Sequence, residues 1–217
     1  MQPGKYMETE TSRFTIENPQ PIILIISGLS GSGKDTVINR VQEISGRIFH
    51  FVVTCNTRQR RENEVDGVDY HFISRDRFLQ MIEDGEMLEH SEVYDDLKGV
   101  PRFEVDNAFQ VGKDIIMRLD TQGMQKVKAV YPNAVSIFIL PPDSQEWINR
   151  LRSRKTESEE SLRIRIQTAE KELKGISAFD YIVVNKEVDQ AAGDILTILE
   201  AERMRSTNRK VIVNFNE

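Results

Sequence analysis

Cysteine is almost missing from this chain. Cys55 stands alone among 217 residues, so no internal disulfide can form. Packing has to hold the fold, as expected of a protein in a reducing cytoplasm. No apolar run approaches the length that crosses a bilayer. Basic residues are not in excess: 29 Lys and Arg stand against 35 Asp and Glu, a net charge of −6. That balance argues against a general nucleic-acid or membrane-surface binder. There is no internal repeat or low-complexity tract. Residues 1–20 carry Pro3, Glu8, Glu10, Glu17 and Pro19 but no apolar centre and little positive charge. They read as a flexible leader, not a signal or transit peptide. The remainder has the composition and length of a globular protein with one good core and one or two inserted subdomains.

The most informative segment is Pro21 to Thr36, PIILIISGLSGSGKDT. A run of Ile and Leu stops at a glycine, a glycine-rich turn follows, and VINRVQEI then has helical spacing. Buried strand, glycine loop and helix come in the order that a phosphate-binding P-loop requires. A glycine-rich turn can also be plain helix punctuation, but the strand in front and the lysine behind argue otherwise. Gly28, Gly31 and Gly33 let the backbone curl around Leu29, Ser30 and Ser32 so that successive N–H groups face an anion. Lys34 adds a fixed charge and the helix N-terminus its dipole. One position departs from G-x-x-x-x-G-K-[ST], where the hydroxyl ligates magnesium. Asp35 occupies it, with Thr36 next. An aspartate beside a triphosphate repels it unless a cation stands between, so Asp35 is expected to help hold Mg²⁺, directly or through water.

Apolar β-rich runs at 22–27, 114–120, 134–140 and 181–185 alternate with amphipathic stretches around Val105–Val111, Met124–Val130 and Glu146–Leu151. This alternation predicts an α/β fold, a parallel sheet with helices on both faces. A last helix, roughly 187–206, places Val188, Ala192, Ile195 and Leu199 on one buried face. The tail KVIVNF (210–215) is either an edge strand or a partner contact. Two segments break the alternation. Residues 51–100 are too polar and loop-rich for the central sheet and read as an inserted α+β unit with a short helix around 76–84. Residues 150–165, RLRSRKTESEESLRIR, set five arginines around an acidic turn. Thr156 and Glu159 form a capping box there, opening a helix with Leu162, Ile166, Ala169 and Leu173 on its buried face.

Within the insertion, Arg58 and Arg61 lie three apart, followed by Glu64 and Tyr70. Two guanidinium forks and a phenol make a pocket for a second phosphate. The alternative is a solvated basic loop neutralised by Glu62 and Glu64, and spacing does not separate the two. Glu89 sits in strand-like MLEHSEV and Asp120 ends DIIMRLD. A guanine site needs acceptors for its N1–H and N2–H₂ donors, and Thr54 could add a hydroxyl. Taken singly, each carboxylate reads first as a solvated or capping residue.

Together these residues resemble the guanylate kinases from about Pro21 to Met204. The matching pieces, in order, are GLSGSGK, TCNTRQRRENEVDGVDYHF, LEHSEVY, KGVPR, LDTQG, SIFILPP, RLRSRKTESEES and DYIVVN. The resemblance implies a P-loop NTPase-type core (21–52 and 103–206), an acceptor insertion (about 53–102), a helical lid (about 143–165) and a tail (207–217). It implies transfer of the γ-phosphoryl group of Mg-ATP to GMP. Lys34 and the loop would hold the ATP phosphates, with Asn185 near the base. Arg58, Arg61 and Tyr70 would hold the GMP phosphate, steadied by Glu64, beside the Lys98–Gly99 turn. Thr54, Glu89 and Asp120 would read guanine, and Arg150, Arg154 and Arg165 would close on the transferring group. Lys98 stands where the family commonly has tyrosine, Val100 where it has a small hydroxyl residue, and Arg118 where it has an acid. Asp35 is the fourth departure, and at several of these places, GKD in the P-loop and R-x-D at Arg118, the chain is similar to a branch that includes plant organellar guanylate kinases. Two other readings share the scaffold: a ribose bisphosphate phosphokinase and a non-catalytic interaction module. Cys55, next to Thr54, is either an incidental small apolar residue or a redox-sensitive one.

Overall fold

The computed structural model describes residues 13–16, 20–46, 49–93, 96–152 and 159–214. Arg154 of the expected lid, the Thr156 capping box and most of the expected leader lie outside these residues. The described chain begins with β1 (Arg13–Ile16), β2 (Ile23–Gly28), α1 (Lys34–Ser45), β3 (His50–Phe51), β4 (Cys55–Asn56) and β5 (His71–Phe72). Next come α2 (Arg75–Glu83), β6 (Met87–Val93), β7 (Asp96–Pro101), α3 (Arg102–Gln110), β8 (Ile115–Arg118) and α4 (Thr121–Val130). It ends with β9 (Val135–Leu140), α5 (Ser144–Arg152), α6 (Glu159–Lys174), β10 (Tyr181–Val184), α7 (Val188–Met204) and β11 (Val211–Asn214).

Five parallel strands form the central sheet in the order β10-β9-β2-β8-β3. β2 lies in the middle and every residue of it is buried, so it reads as a continuous apolar run. Its side chains alternate between two cores. Ile23 and Ile25 pack with Val105, Met124, Trp147, Leu151 and Leu162 from α3, α4, α5 and α6. Leu24 and Ile26 pack with Val37, Ile38, Ala192, Ile195 and Leu199 from α1 and α7. Helices therefore cover both faces. The carboxyl ends of β2 and β8 lie side by side, Ile26 opposite Arg118. In parallel sheets this edge carries the ligand.

A second sheet, β5-β4-β7-β6, projects from the first and is antiparallel except for its β4–β5 pair. Its small core holds Phe78, Met81, Met87, Leu97 and Cys55. Cys55 is only 1% exposed, and burial pushes its thiol up to about 12. It packs as an inert apolar side chain, not a redox-sensitive one. One buried carboxylate ties the two sheets together. The oxygens of Glu104, on α3, lie 2.5 Å from Nε2 of His50 on β3 and 2.7 Å from Nε2 of His71 on β5.

Two expectations need correction. Arg13–Ile16, inside the expected leader, pairs antiparallel with Val211–Asn214, so the tail supplies a strand to a two-stranded ribbon. Both segments are short β-forming runs, and each satisfies the backbone donors and acceptors of the other. On α6, Leu162 and Ala169 are buried, but Leu173 is 39% exposed. In that last turn the half-buried side chain is Glu172, which lines the cleft below.

Removing the Glu104 carboxylate leaves two half-buried imidazoles without their acceptor. We expect Glu104→Ala to lower the unfolding free energy in urea by about 3 kcal/mol. A loss below about 1 kcal/mol would mean that water replaces both contacts at little cost.

Candidate active site

The loop after β2 turns on three glycines of positive φ: Gly28 (151°), Gly31 (84°) and Gly33 (82°). Each faces a wall. A Cβ on Gly28 would lie 2.4 Å from the Ile139 carbonyl oxygen, on Gly31 2.8 Å from Leu151 Cδ2, and on Gly33 2.5 Å from Asn185 Nδ2. The loop is braced from three elements. Trp147 Nε1 of α5 donates to the Ser30 carbonyl at 2.8 Å, Asn185 Nδ2 donates to the Ser32 carbonyl at 2.8 Å, and Arg165 of α6 donates to Ser30 Oγ. Leu29 is buried under the loop, and Lys34 Nζ lies 3.5 Å from the Gly28 carbonyl. Arg150 donates to Glu146 at 2.8 Å and to the Asn185 carbonyl at 3.4 Å, which places it beside Gly33. Arg150 and Arg165, the described arginines of the expected lid, thus stand against the loop. Asn185 is placed to position loop backbone. Thr36 is exposed in the first turn of α1.

Two adjoining cavities open at this edge. The first, about 350 Å³, is lined by Gly28, Ser30, Lys34, Asp35, Arg118, Asp120 and Glu172, among others. The second, about 280 Å³, is lined by Glu89, Ser91, Lys98 and Gly99. Thr54, Tyr70, Arg118, Leu119 and Asp120 line both, so the cavities are two lobes of one cleft. A larger cavity, about 440 Å³, lies at the amino end of the sheet around Ile22, Phe109 and Tyr131. Among the described residues no charged side chain lines it; its polar groups come from Gln20, Tyr131, Asn133 and Asn208.

Arg58 and Glu64 join by both guanidinium nitrogens, Nη1 to Oε2 at 2.7 Å, and Glu64 Oε2 also accepts the Arg61 amide at 2.9 Å. These bonds, from Arg58 first, hold the Glu64 carboxyl down at about 2. The Arg58 guanidinium lies 5.2 Å from the centre of the Tyr70 ring. Arg58, Glu64 and Tyr70 therefore form one unit. Burial, with Arg58 and Arg61 nearby, lowers the Lys98 ammonium. Gly99 is required by close approach: a Cβ there would lie 2.6 Å from the Glu89 carbonyl oxygen. Val100 is fully buried and packs in the core, away from both lobes. Burial, helped by Asp120, pushes Glu89 up to about 7. Asp120 caps α4, its Oδ1 accepting the Gly123 amide at 2.7 Å, while its side chain also borders the cleft. The capping and the pocket readings of Asp120 hold together.

Trp147 and Glu172 were not anticipated. Trp147 is the only tryptophan, one helical turn before Leu151, and that spacing marks it as an anchor. Glu172 lies three residues after Ala169, and burial followed by Asp120 raises it. The described residues contain no cluster of three or more metal-ligating side chains. The carboxylates of Asp35, Asp120 and Glu172 line the lobe beside the glycine loop, and Mg²⁺ takes one or two such groups and completes its shell with water and phosphate.

A glycine loop and lysine at a helix N-terminus, with a second lobe carrying Glu89 and Lys98 across a shared wall, fit a P-loop phosphotransferase. The family model described as guanylate kinase matches residues 20–202. A chloroplastic/mitochondrial guanylate kinase 2 of Oryza sativa subsp. japonica is 41% identical over 196 residues, covering 89% of this chain and 68% of its own. The guanylate kinase of Desulfitobacterium hafniense is 38% identical over 190 residues, covering 88% and 94%. The crystal structure of guanylate kinase from Anaplasma phagocytophilum superposes with a TM-score of 0.71 at 31% identity, covering 88% of this chain and 91% of that one. The chain belongs to the guanylate kinase family.

Gly33 has no room for a side chain. Strain of about 1–3 kcal/mol is expected for Gly33→Ala, raising the dissociation constant of ATP about 10- to 100-fold by calorimetry. An unchanged constant would show that the loop shifts freely.

Proposed function

We propose that this protein transfers the γ-phosphoryl group of ATP to GMP, giving ADP and GDP. The observation that carries the reading is the shared wall Arg118–Leu119–Asp120, with the loop and Lys34 on one side and Glu89 and Lys98 on the other. The acceptor phosphate lies against Arg58, Arg61, Tyr70 and Lys98, with Glu64 fixing the arginine fork. Thr54, Glu89 and Asp120 accept from and donate to the guanine edge. A site built on such hydrogen bonds discriminates by roughly 10⁴-fold, because the wrong base leaves the buried Glu89 carboxylate unpaired.

The attacking oxygen of GMP is already ionised, so no general base is needed and alignment and charge neutralisation supply the rate. Lys34, Arg150, Arg154 and Arg165 offset the charge on the equatorial oxygens. Guanylate kinases in general use Mg-ATP; the ion, held beside Asp35, would neutralise charge on the β- and γ-phosphates. We assign residues about 143–165 as the lid and 53–102 as the acceptor domain, whose closure excludes water and limits ATP hydrolysis. No described helix is long and apolar enough to cross a membrane, and we place the reaction in the cytoplasm.

Turnover is expected with GMP and not with AMP, UMP or CMP in a coupled assay of ADP formation. Turnover of ribose 1,5-bisphosphate instead of GMP would replace this reading with the phosphokinase one.

The pH dependence has a definite sign. Glu89 is an acceptor on both oxygens only when ionised, above about 7. kcat/KM for GMP should therefore fall as the pH drops through about 7. Glu89→Gln should lower the rate and remove that inflection, leaving one near pH 6 from the substrate phosphate. Stability moves the other way. A carboxyl whose folded pKa is raised takes up a proton on folding and costs stability once ionised. Glu89→Gln should thus melt higher than the natural protein at pH 8, and the gain should vanish near pH 4.

A further inference from the structure

Two residues that depart from the family pattern separately meet in the fold. Arg118 Nη1 donates to Asp35 Oδ1 at 3.2 Å. Arg118 ends β8 beside the loop-bearing strand, and Asp35 is the second residue of α1. Arg118 lines both the donor and the acceptor lobe. In the donor lobe its fellow cation among the lining residues is Lys34, against the carboxylates of Asp35, Asp120 and Glu172. A triphosphate entering that lobe meets more negative than positive charge. The Asp35–Arg118 pair is 65% and 44% exposed. An exposed pair of this kind shifts an equilibrium by about fivefold or less and is readily exchanged. A phosphoryl group offers a planar guanidinium a bidentate acceptor of higher charge than one carboxylate.

We infer that Arg118 is a further catalytic residue of this site, held by Asp35 at rest and turning to the transferring phosphoryl group when nucleotide binds. The inference rests on the phosphotransferase reading. Asp35 keeps the guanidinium neutralised and in position while the cleft is empty. The exchange then leaves the Asp35 carboxylate to the cation that accompanies the nucleotide. Because Arg118 borders both lobes, it spans the gap that the phosphoryl group crosses, as an electrostatic partner and not a base. No proton or covalent bond is added to the reaction.

Arg118→Ala, Asp35→Asn and the double variant test this through two readouts, kcat with Mg-ATP and GMP, and calorimetric affinity for ATP in EDTA. Both side chains are exposed, so melting temperatures should stay within about 2 °C of the natural protein. Arg118→Ala should lower kcat about 10²-fold, and Arg118→Lys should recover part of it. Asp35→Asn should tighten metal-free ATP binding about fivefold, because it frees the guanidinium and removes a like charge. The double variant should lose most of that gain. A kcat loss below about tenfold in Arg118→Ala, no gain in Asp35→Asn, or a gain kept in full by the double variant would each overturn the inference. A natural protein that turns over no GMP would fail the acceptor reading, while the metal-free ATP arm would still decide the role of Arg118.

Discussion

Backbone amides can converge on an anion only where the chain bends in ways that side chains forbid, and this geometry organises the whole molecule. At Gly28, Gly31 and Gly33 the loop has no space for a Cβ, and the obstructing atoms come from β9, from α5 and from the residue after β10. The order of the sheet follows from that demand. β2 has to be central, with β9 on one side to press on Gly28 and β8 on the other to bring Asp120 alongside. The tryptophan of α5 and the arginine of α6 then complete a collar around the loop.

Charge is arranged on a second principle, that of keeping opposite groups ready without satisfying them fully. Glu64 holds Arg58 in a fixed fork, so less side-chain freedom is lost when an anion arrives. Lys98 and Glu89 are displaced in opposite directions, each by burial first, within the same lobe. Burial of this kind lowers stability and is retained where binding needs it. The Glu104 bridge has a different task. It joins the acceptor sheet to the core through two histidines and touches neither lobe.

Features that depend on neighbours in the chain were legible in the sequence. The strand–loop–helix order of 21–36, the continuous apolar run of β2 and the helical face of α7 each use contacts within a few residues. Arg58 and Glu64, six residues apart, do pair, but spacing left that open and the expectation came from the family resemblance. What could not be read was long-range. Trp147 reaches Ser30 across 117 residues and Asn185 reaches Ser32 across 153. Asp35 and Arg118, 83 apart, looked like two unrelated departures until the sheet placed them together. Asp120 offered two readings because local spacing cannot show that one carboxylate both caps a helix and borders a cleft. The ribbon of β1 and β11 was missed because its halves lie at opposite ends of the described chain, with no turn signal between them.

The lone cysteine acquires a use from its position. Cys55 lies in the small core of the projecting sheet, sealed from solvent and with its thiol far from ionising at neutral pH. A maleimide or disulfide reagent can reach it only when that sheet opens locally. Because the described chain has no second thiol to compete, the rate of labelling is a built-in clock for the breathing of this one subdomain. It needs no engineered probe and distinguishes local opening from global unfolding by its dependence on denaturant.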